Sequence, residues 1–362
     1  MRIYKGLFLV ILFSLAIILN ACRPPELEQA VIEYNAGRYE NAYEQAKVAT
    51  EKYPENEEAW YYRGEVEGRM QKIEDMMSSF QKSLAIKNTF AGEIEVAKKN
   101  YFGKFYNDGV SSNNSLIKVE DKTSPEAKKA ADKVIENFKN ALLIMDDYMA
   151  TRLIAVVSQM MDDKETSLKY FILASESQPD TVTAWTDLGY YYQRQKDFLK
   201  AAEEFKKGLE IDPKNEECLI RYAESLDLAD KKEEAIAAYK QALELIPNEK
   251  AIPFNLGLLI FKLSTTPDIS PDKKKELMAE SAKYFEQAHQ IDPEIKETYD
   301  LLGTLLLQLG EFDKAKKLLE QGVEIFPDSP SIWQNLSFLY AKTGDKKKAE
   351  EAFSRSKQLK GE

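Results

Sequence analysis

The stretch VTAWTDLGYYYQRQKDFLKAAEEFKKGLEIDPKN, Val182 to Asn215, constrains the fold most, because its pattern of small and apolar residues recurs along the chain. Trp185, Leu188, Gly189 and Tyr192 fall at i, i+3, i+4 and i+7, one stripe of a helix. Ala201, Phe205 and Gly208 form the corresponding stripe of a second helix, and Pro213 stops it because proline cannot continue a helix. Gly189, Ala201 and Gly208 have almost no side chain, so helix axes can approach closely there while Trp185 and Phe205 fill the adjacent space. Each module is thus read as two antiparallel helices, and a fixed period implies one elongated array instead of several globular domains.

The W-x2-L-G-x2-Y … A-x3-F … P order of these residues resembles the tetratricopeptide repeat. That resemblance implies an all-α fold, a superhelical solenoid of about nine helix-turn-helix repeats, and it covers essentially the whole chain after the N-terminal segment. The composition agrees, with 31% charged residues, 15 Gly and 13 Pro. The array, 26–362, divides into repeats at about 23–56, 57–90, 91–147, 148–181, 182–215, 216–249, 250–295, 296–329 and 330–362. Trp60, Gly64 and Phe80 mark the second repeat, Tyr222, Ala223 and Tyr239 the sixth, and Trp333, Leu336 and Phe353 the ninth.

Two repeats carry insertions. In the third, a first helix is expected over 92–106, then an inserted loop at 107–124, NDGVSSNNSLIKVEDKTS, rich in Asn, Ser and Gly. In the seventh the insertion is 264–272. Both end alike, Ser124-Pro125-Glu126 and Ser270-Pro271-Asp272: a capping Ser, a Pro suited to the first helical position, and an acid facing the positive helix end.

Residues 1–21 read as an export signal, with basic Arg2 and Lys5, an apolar run from Leu7 to Leu19, and small Ala21 before Cys22. The run is short for a spanning helix, which needs about 20 residues. Its Leu-Asn-Ala-Cys ending resembles the lipobox of bacterial lipoproteins, which implies cleavage before Cys22 and lipidation of that residue. An ordinary cleaved signal and an uncleaved anchor are the alternatives. Residues 22–25 would form a short tether, since three residues reach roughly 10 Å. Arg23 in the second place is not the Asp that retains lipoproteins in the inner membrane, so the expected location is the bacterial envelope, at the outer membrane of a diderm.

A formal net charge of −11 makes nucleic acid an unsuitable partner. With Cys22 consumed by lipid, Cys218 has no mate and no disulfide is expected. A single histidine, His289, cannot assemble a His-based zinc site, a Ser-His-Asp triad or a Cys-His pair; no catalytic residue, metal or cofactor is expected. It follows Ala288, at a place that usually faces solvent in these repeats. Trp60, Trp185 and Trp333 occupy the same place in their repeats and read as packing residues.

In the geometry implied by the resemblance, the concave groove is faced by Tyr61, Arg152, Thr186, Tyr190, Arg194, Ile220, Glu224, Phe254, Leu258, Phe261, Gln334 and Phe338. Apolar side chains recurring on a face that stacking does not need are what a peptide groove would supply. The expected function is a non-catalytic, lipid-anchored scaffold or adaptor that holds a protein partner, as peptide or helix, beside the membrane. A glycan-binding surface lipoprotein is the alternative and needs exposed aromatics on a rim.

Overall fold

The computed structural model describes residues 23–267 and 269–361. Cys22 and the export signal lie outside the described residues, among which no helix is long and apolar enough to cross a membrane. The described residues form eighteen α-helices in nine antiparallel pairs, with one 3-10 turn at Asn88–Phe90 and no strand. They fall into two compact units, one ending at Ser177 and the other beginning at Gln178.

In the first unit the pairs are α1 (Pro25–Asn35) with α2 (Tyr39–Lys52), α3 (Glu57–Arg69) with α4 (Ile73–Ile86), α5 (Ala91–Lys118) with α6 (Pro125–Ile144), and α7 (Tyr148–Met160) with α8 (Lys164–Ser177). The second unit pairs α9 (Val182–Arg194) with α10 (Phe198–Ile211), α11 (Glu216–Leu228) with α12 (Lys232–Leu245), and α13 (Ala251–Ser264) with α14 (Pro271–Ile291). Its last pairs are α15 (Lys296–Leu309) with α16 (Phe312–Ile325), and α17 (Pro330–Thr343) with α18 (Lys346–Lys360).

Within a pair, a small residue on the first helix lies against a large one on the second. A Cβ added at Gly64 would stand 2.5 Å from the Phe80 ring, at Gly189 2.8 Å from the Phe205 ring, and at Gly303 2.6 Å from Leu319. Phe80, Phe205 and Leu319 are themselves buried. The linker entering a first helix is closed by a recurring bond: the indoles of Trp60, Trp185 and Trp333 donate to the carbonyls of Pro54, Pro179 and Pro327 at 2.8, 2.8 and 2.9 Å. Lys82 and Lys207 place their ammonium groups 4.2 and 4.4 Å from the Trp60 and Trp185 rings. The tryptophans therefore act at repeat junctions.

The turn inside each regular hairpin contains one left-handed residue: Gly37, Gln71, Asp162, Lys196, Asp230, Gly310 and Gly344. The insertion-bearing third and seventh hairpins break this series. In the seventh, α14 starts at Pro271 with the Ser270 hydroxyl accepting from the Lys273 amide, 3.3 Å, and at 21 residues it is half again as long as its 14-residue partner.

The third hairpin corrects the expectation from sequence. Most of the stretch 107–124 is helix, because α5 runs unbroken to Lys118 and only residues 119–124 connect it to α6. Asn107, Asp108, Ser111, Asn114 and Ser115 are exposed, while Phe105, Gly109 and Leu116 face inward at helical spacing. Gly109 is the small residue of this hairpin, its would-be Cβ 2.8 Å from the Phe138 ring. Leu116 packs in a cluster with Ala127, Ala131, Val134 and Phe138. The helix end is closed by the Lys122 ammonium, which donates to the carbonyls of Leu116, Ile117 and Val119.

Two outcomes are expected in thermal unfolding. Gly189→Leu overfills the contact with Phe205 and should cost about 1–3 kcal/mol. At the left-handed turn positions the signs oppose: Gly344→Ala should destabilise by about 1 kcal/mol, whereas Lys196→Gly should raise the midpoint.

Candidate functional site

The first helices of the second and third repeats, α3 and α5, border an open cleft of about 610 Å³. From α3 it is lined by Tyr61, Glu65 and Arg69, one stripe at i, i+4 and i+8; from α5 by Glu93, Val96, Asn100, Tyr101 and Lys104, among others. The Asn88–Phe90 turn leads directly into α5 and places Phe90 beside Tyr61. Phe90 stacks on Tyr61 with ring centroids 4.6 Å apart, and Tyr62 meets Tyr61 edge-on at 5.1 Å.

Glu65 sits in the wall of this cleft and is only 8% exposed. Its Oε2 accepts from the Tyr34 hydroxyl at 2.7 Å, and its backbone carbonyl accepts from the Tyr101 hydroxyl at 3.1 Å. Burial, then the bond to Glu65, pushes the Tyr34 hydroxyl up to about 12. Tyr61 and Tyr101 are raised too, first by burial and then by the Glu65 charge. The Arg69 guanidinium lies 6.0 Å from the Tyr34 ring centroid, and Lys104 pairs with Asp108 at 3.1 Å.

Of the other groove candidates, Arg152 in the first unit is half-buried on α7. In the second unit Tyr190 joins α9 to α11: its hydroxyl donates to Glu217 and accepts from Arg221 Nε at 3.1 Å, and Arg221 in turn bonds Glu224 at 2.6 Å. Burial and Glu217 raise Tyr190. Arg194 is exposed, and Thr186 is buried with its hydroxyl donating to the Val182 carbonyl. Ile220 packs on the core cluster of Leu219, Ala223 and Leu226. Phe254, Leu258 and Phe261 are half-buried against the cluster containing Phe285, Tyr299 and Leu302, with Phe254 edge-on to Phe285 at 5.5 Å. They pack on that cluster while remaining partly exposed. Phe338 is 50% exposed beneath Lys342, and Gln334 accepts from Lys360.

His289 is half-buried, edge-on to Tyr299 at 4.8 Å, and burial lowers its pKa; it does not stand free in solvent as its place in the repeat suggests. Cys218 is buried with Sγ 3.4 Å from the Thr186 hydroxyl. Among the described residues no group of three His, Cys, Asp or Glu is placed to hold a metal ion. Sequence reasoning missed Tyr34, Glu65 and Tyr101 as a set. The available signal was an acid on the stripe Tyr61, Glu65, Gly68, where burial is otherwise apolar or small.

The Tyr34 hydroxyl supplies a pH test. Its pKa rises from 10.0 to about 12 on folding, so the contribution is complete below pH 10 and is lost as pH rises toward 12. Tyr34→Phe should therefore lose less stability than the unmodified chain between those values, measured by denaturant unfolding alongside tyrosinate absorbance.

Models of the tetratricopeptide repeat match residues 163–216, 192–254, 277–336 and 306–358, and a protein prenyltransferase alpha subunit repeat model matches 39–70. The human Protein O-mannosyl-transferase TMTC3 is 23% identical over 196 residues, 54% of this chain, and the match spans 18% of that protein's length. Among solved structures, MamA is 21% identical with a TM-score of 0.43, covering 51% of this chain and 93% of its own. YrrB, described as a TPR protein with an unusual peptide-binding site, is 17% identical at a TM-score of 0.44, covering 53% and 93%. Pseudomonas aeruginosa pilF is 19% identical at 0.43, covering 59% and 91%. The matched models place tetratricopeptide repeats at 163–254 and 277–358, where the paired-helix register recurs.

Proposed function

We propose that this chain is a lipid-anchored scaffold of the bacterial cell envelope that holds a segment of a partner protein against the first-helix face of its repeats. The observation that carries the reading is the open cleft along α3 and α5, where Tyr61, Glu93, Val96 and Lys104 line the opening without taking part in the Gly-aromatic contacts. Exposed Arg194 and half-exposed Phe338 are side chains on first helices that the frame likewise does not use. The Leu-Asn-Ala-Cys sequence supports lipid attachment at Cys22, and two or three acyl chains would suffice for stable anchoring at about 0.8 kcal/mol per buried CH₂. Arg23 after that cysteine favours the outer membrane where the cell has one.

The glycan-binding alternative has less support, because the Trp60, Trp185 and Trp333 indoles are committed to proline carbonyls.

Proximity labelling from the membrane-tethered protein, compared with Cys22→Ser, should identify envelope proteins whose labelling is lost when the anchor is removed. Against such a partner, Phe338→Ala and Tyr61→Ala should each weaken capture by about tenfold, a loss of about 1.4 kcal/mol. For exposed Phe338 the unfolding free energy should change by no more than about 0.5 kcal/mol. Undiminished capture by both variants, or labelling indifferent to Cys22, would sink the reading.

A further inference from the structure

Four glutamates are buried among the described residues: Glu33, Glu65, Glu67 and Glu204. Three have a basic partner. Arg38 pairs with Glu33, Arg63 with Glu67 at 2.9 Å, and Lys207 with Glu204 at 2.8 Å. Glu67, two residues from Glu65 and on the opposite side of α3, is further satisfied by the Ser79 hydroxyl at 2.6 Å, while Arg63 also reaches Thr50. Glu65 has only the neutral Tyr34 hydroxyl. Arg69, one turn on, is directed to Tyr34 and forms no ion pair with Glu65.

A carboxylate taken out of water without a cation is costly, by several kcal/mol. Here that carboxylate belongs to a residue lining an open cleft, together with Tyr61, Glu93, Val96 and Tyr101. An ammonium group placed there gains a charge-assisted bond to the carboxylate. Glu93, at the same end of the cleft as Tyr61, adds a second negative charge, whereas Lys104 at the far end is engaged by Asp108. Val96 lies in the cleft with 59% of its surface exposed, an apolar bed for a methylene stem. The cleft's volume of about 610 Å³ far exceeds an ammonium ion, leaving room for the chain that carries it. At the scale of the whole protein, a net charge of −11 steers basic surfaces toward it.

We infer that the cleft between α3 and α5 receives a lysine side chain of the partner protein, with Glu65 as buried counter-ion and Val96 beneath the stem. This rests on the scaffold reading above and specifies the chemistry of the partner segment.

The test uses the full chain and a fluorescein-labelled peptide of four Ala-Lys repeats, blocked at both ends, with binding followed by anisotropy. The lysine peptide should bind, while the same peptide with Nε-acetylated lysines, or with Glu in place of Lys, should bind about tenfold more weakly or worse. Glu65→Gln retains an acceptor for Tyr34 but removes the charge. It should lose affinity for the lysine peptide by the same factor, and its unfolding midpoint should hold or rise, whereas a purely structural carboxylate would lower it. Equal binding by Glu65→Gln and the unmodified chain would overturn the inference, as would equal binding of lysine and acetyl-lysine peptides. Glu65-dependent binding of spermine without binding of the peptide would also overturn it, by assigning the site to a free amine. If capture of the envelope partner survives Glu65→Gln but not Phe338→Ala, the lysine inference falls and the scaffold reading stands. If capture survives both of these and Tyr61→Ala, both fall.

Discussion

The contact on which several hairpins depend is that of a glycine against a ring or a branched chain on the antiparallel partner. It is steric before it is hydrophobic: at Gly64 or Gly189 even one carbon would enter the space of Phe80 or Phe205. Close-packed interiors tolerate no such overlap without displacing a helix. Because the contact is internal to each hairpin, the stacking of one hairpin on the next is a separate matter, served by different atoms. The Trp-to-proline-carbonyl bonds illustrate this, tying the first helix of a repeat to the linker that enters it through a polar bond at a half-buried ring.

That division explains what could be read from the amino acids. Gly189 and Phe205 stand at the regular spacing, so their partnership is visible in the sequence. Gly109 and Phe138 make the same contact, but the longer connection between them hides it, and the polar residues around Gly109 suggest a loop. Composition misleads there because one inward residue per turn is sufficient for a helix whose remaining sides face water. On α13 the difficulty is reversed. The run Leu256 to Phe261 is apolar nearly all round, so periodicity cannot tell a groove-facing side chain from one that packs on a neighbouring repeat. Phe254, Leu258 and Phe261 are half-buried against Phe285, Tyr299 and Leu302 for that reason. The cleft beside Glu65 was legible only in part: Tyr61 was evident from its place in the repeat, but the burial of Glu65 arises from Tyr34 and Tyr101, each about a repeat away in sequence.

Polar side chains bridge successive first helices in several repeats, and they decide which residues remain available to a partner. Tyr190 with Glu217 and Arg221, Gln193 with Ser225, and Asn335 with Asp300 and Thr304 satisfy one another across neighbouring helices. Such bonds fix the wall and leave it with few unmatched charges. An unmatched charge in that setting is informative because so many of its counterparts are matched.

The hairpin tips are where this chain has changed length, and the consequence concerns how such an array can evolve. Turns added at the starts of α6 and α14 lengthen a hairpin at its tip, so insertion or deletion there need not re-register the repeats on either side. A deletion at a junction would remove the carbonyl that an indole needs and misalign every contact beyond it. Repeat number and arm length can thus drift independently, and a lineage can remodel the rim of its binding face without rebuilding the stack beneath it.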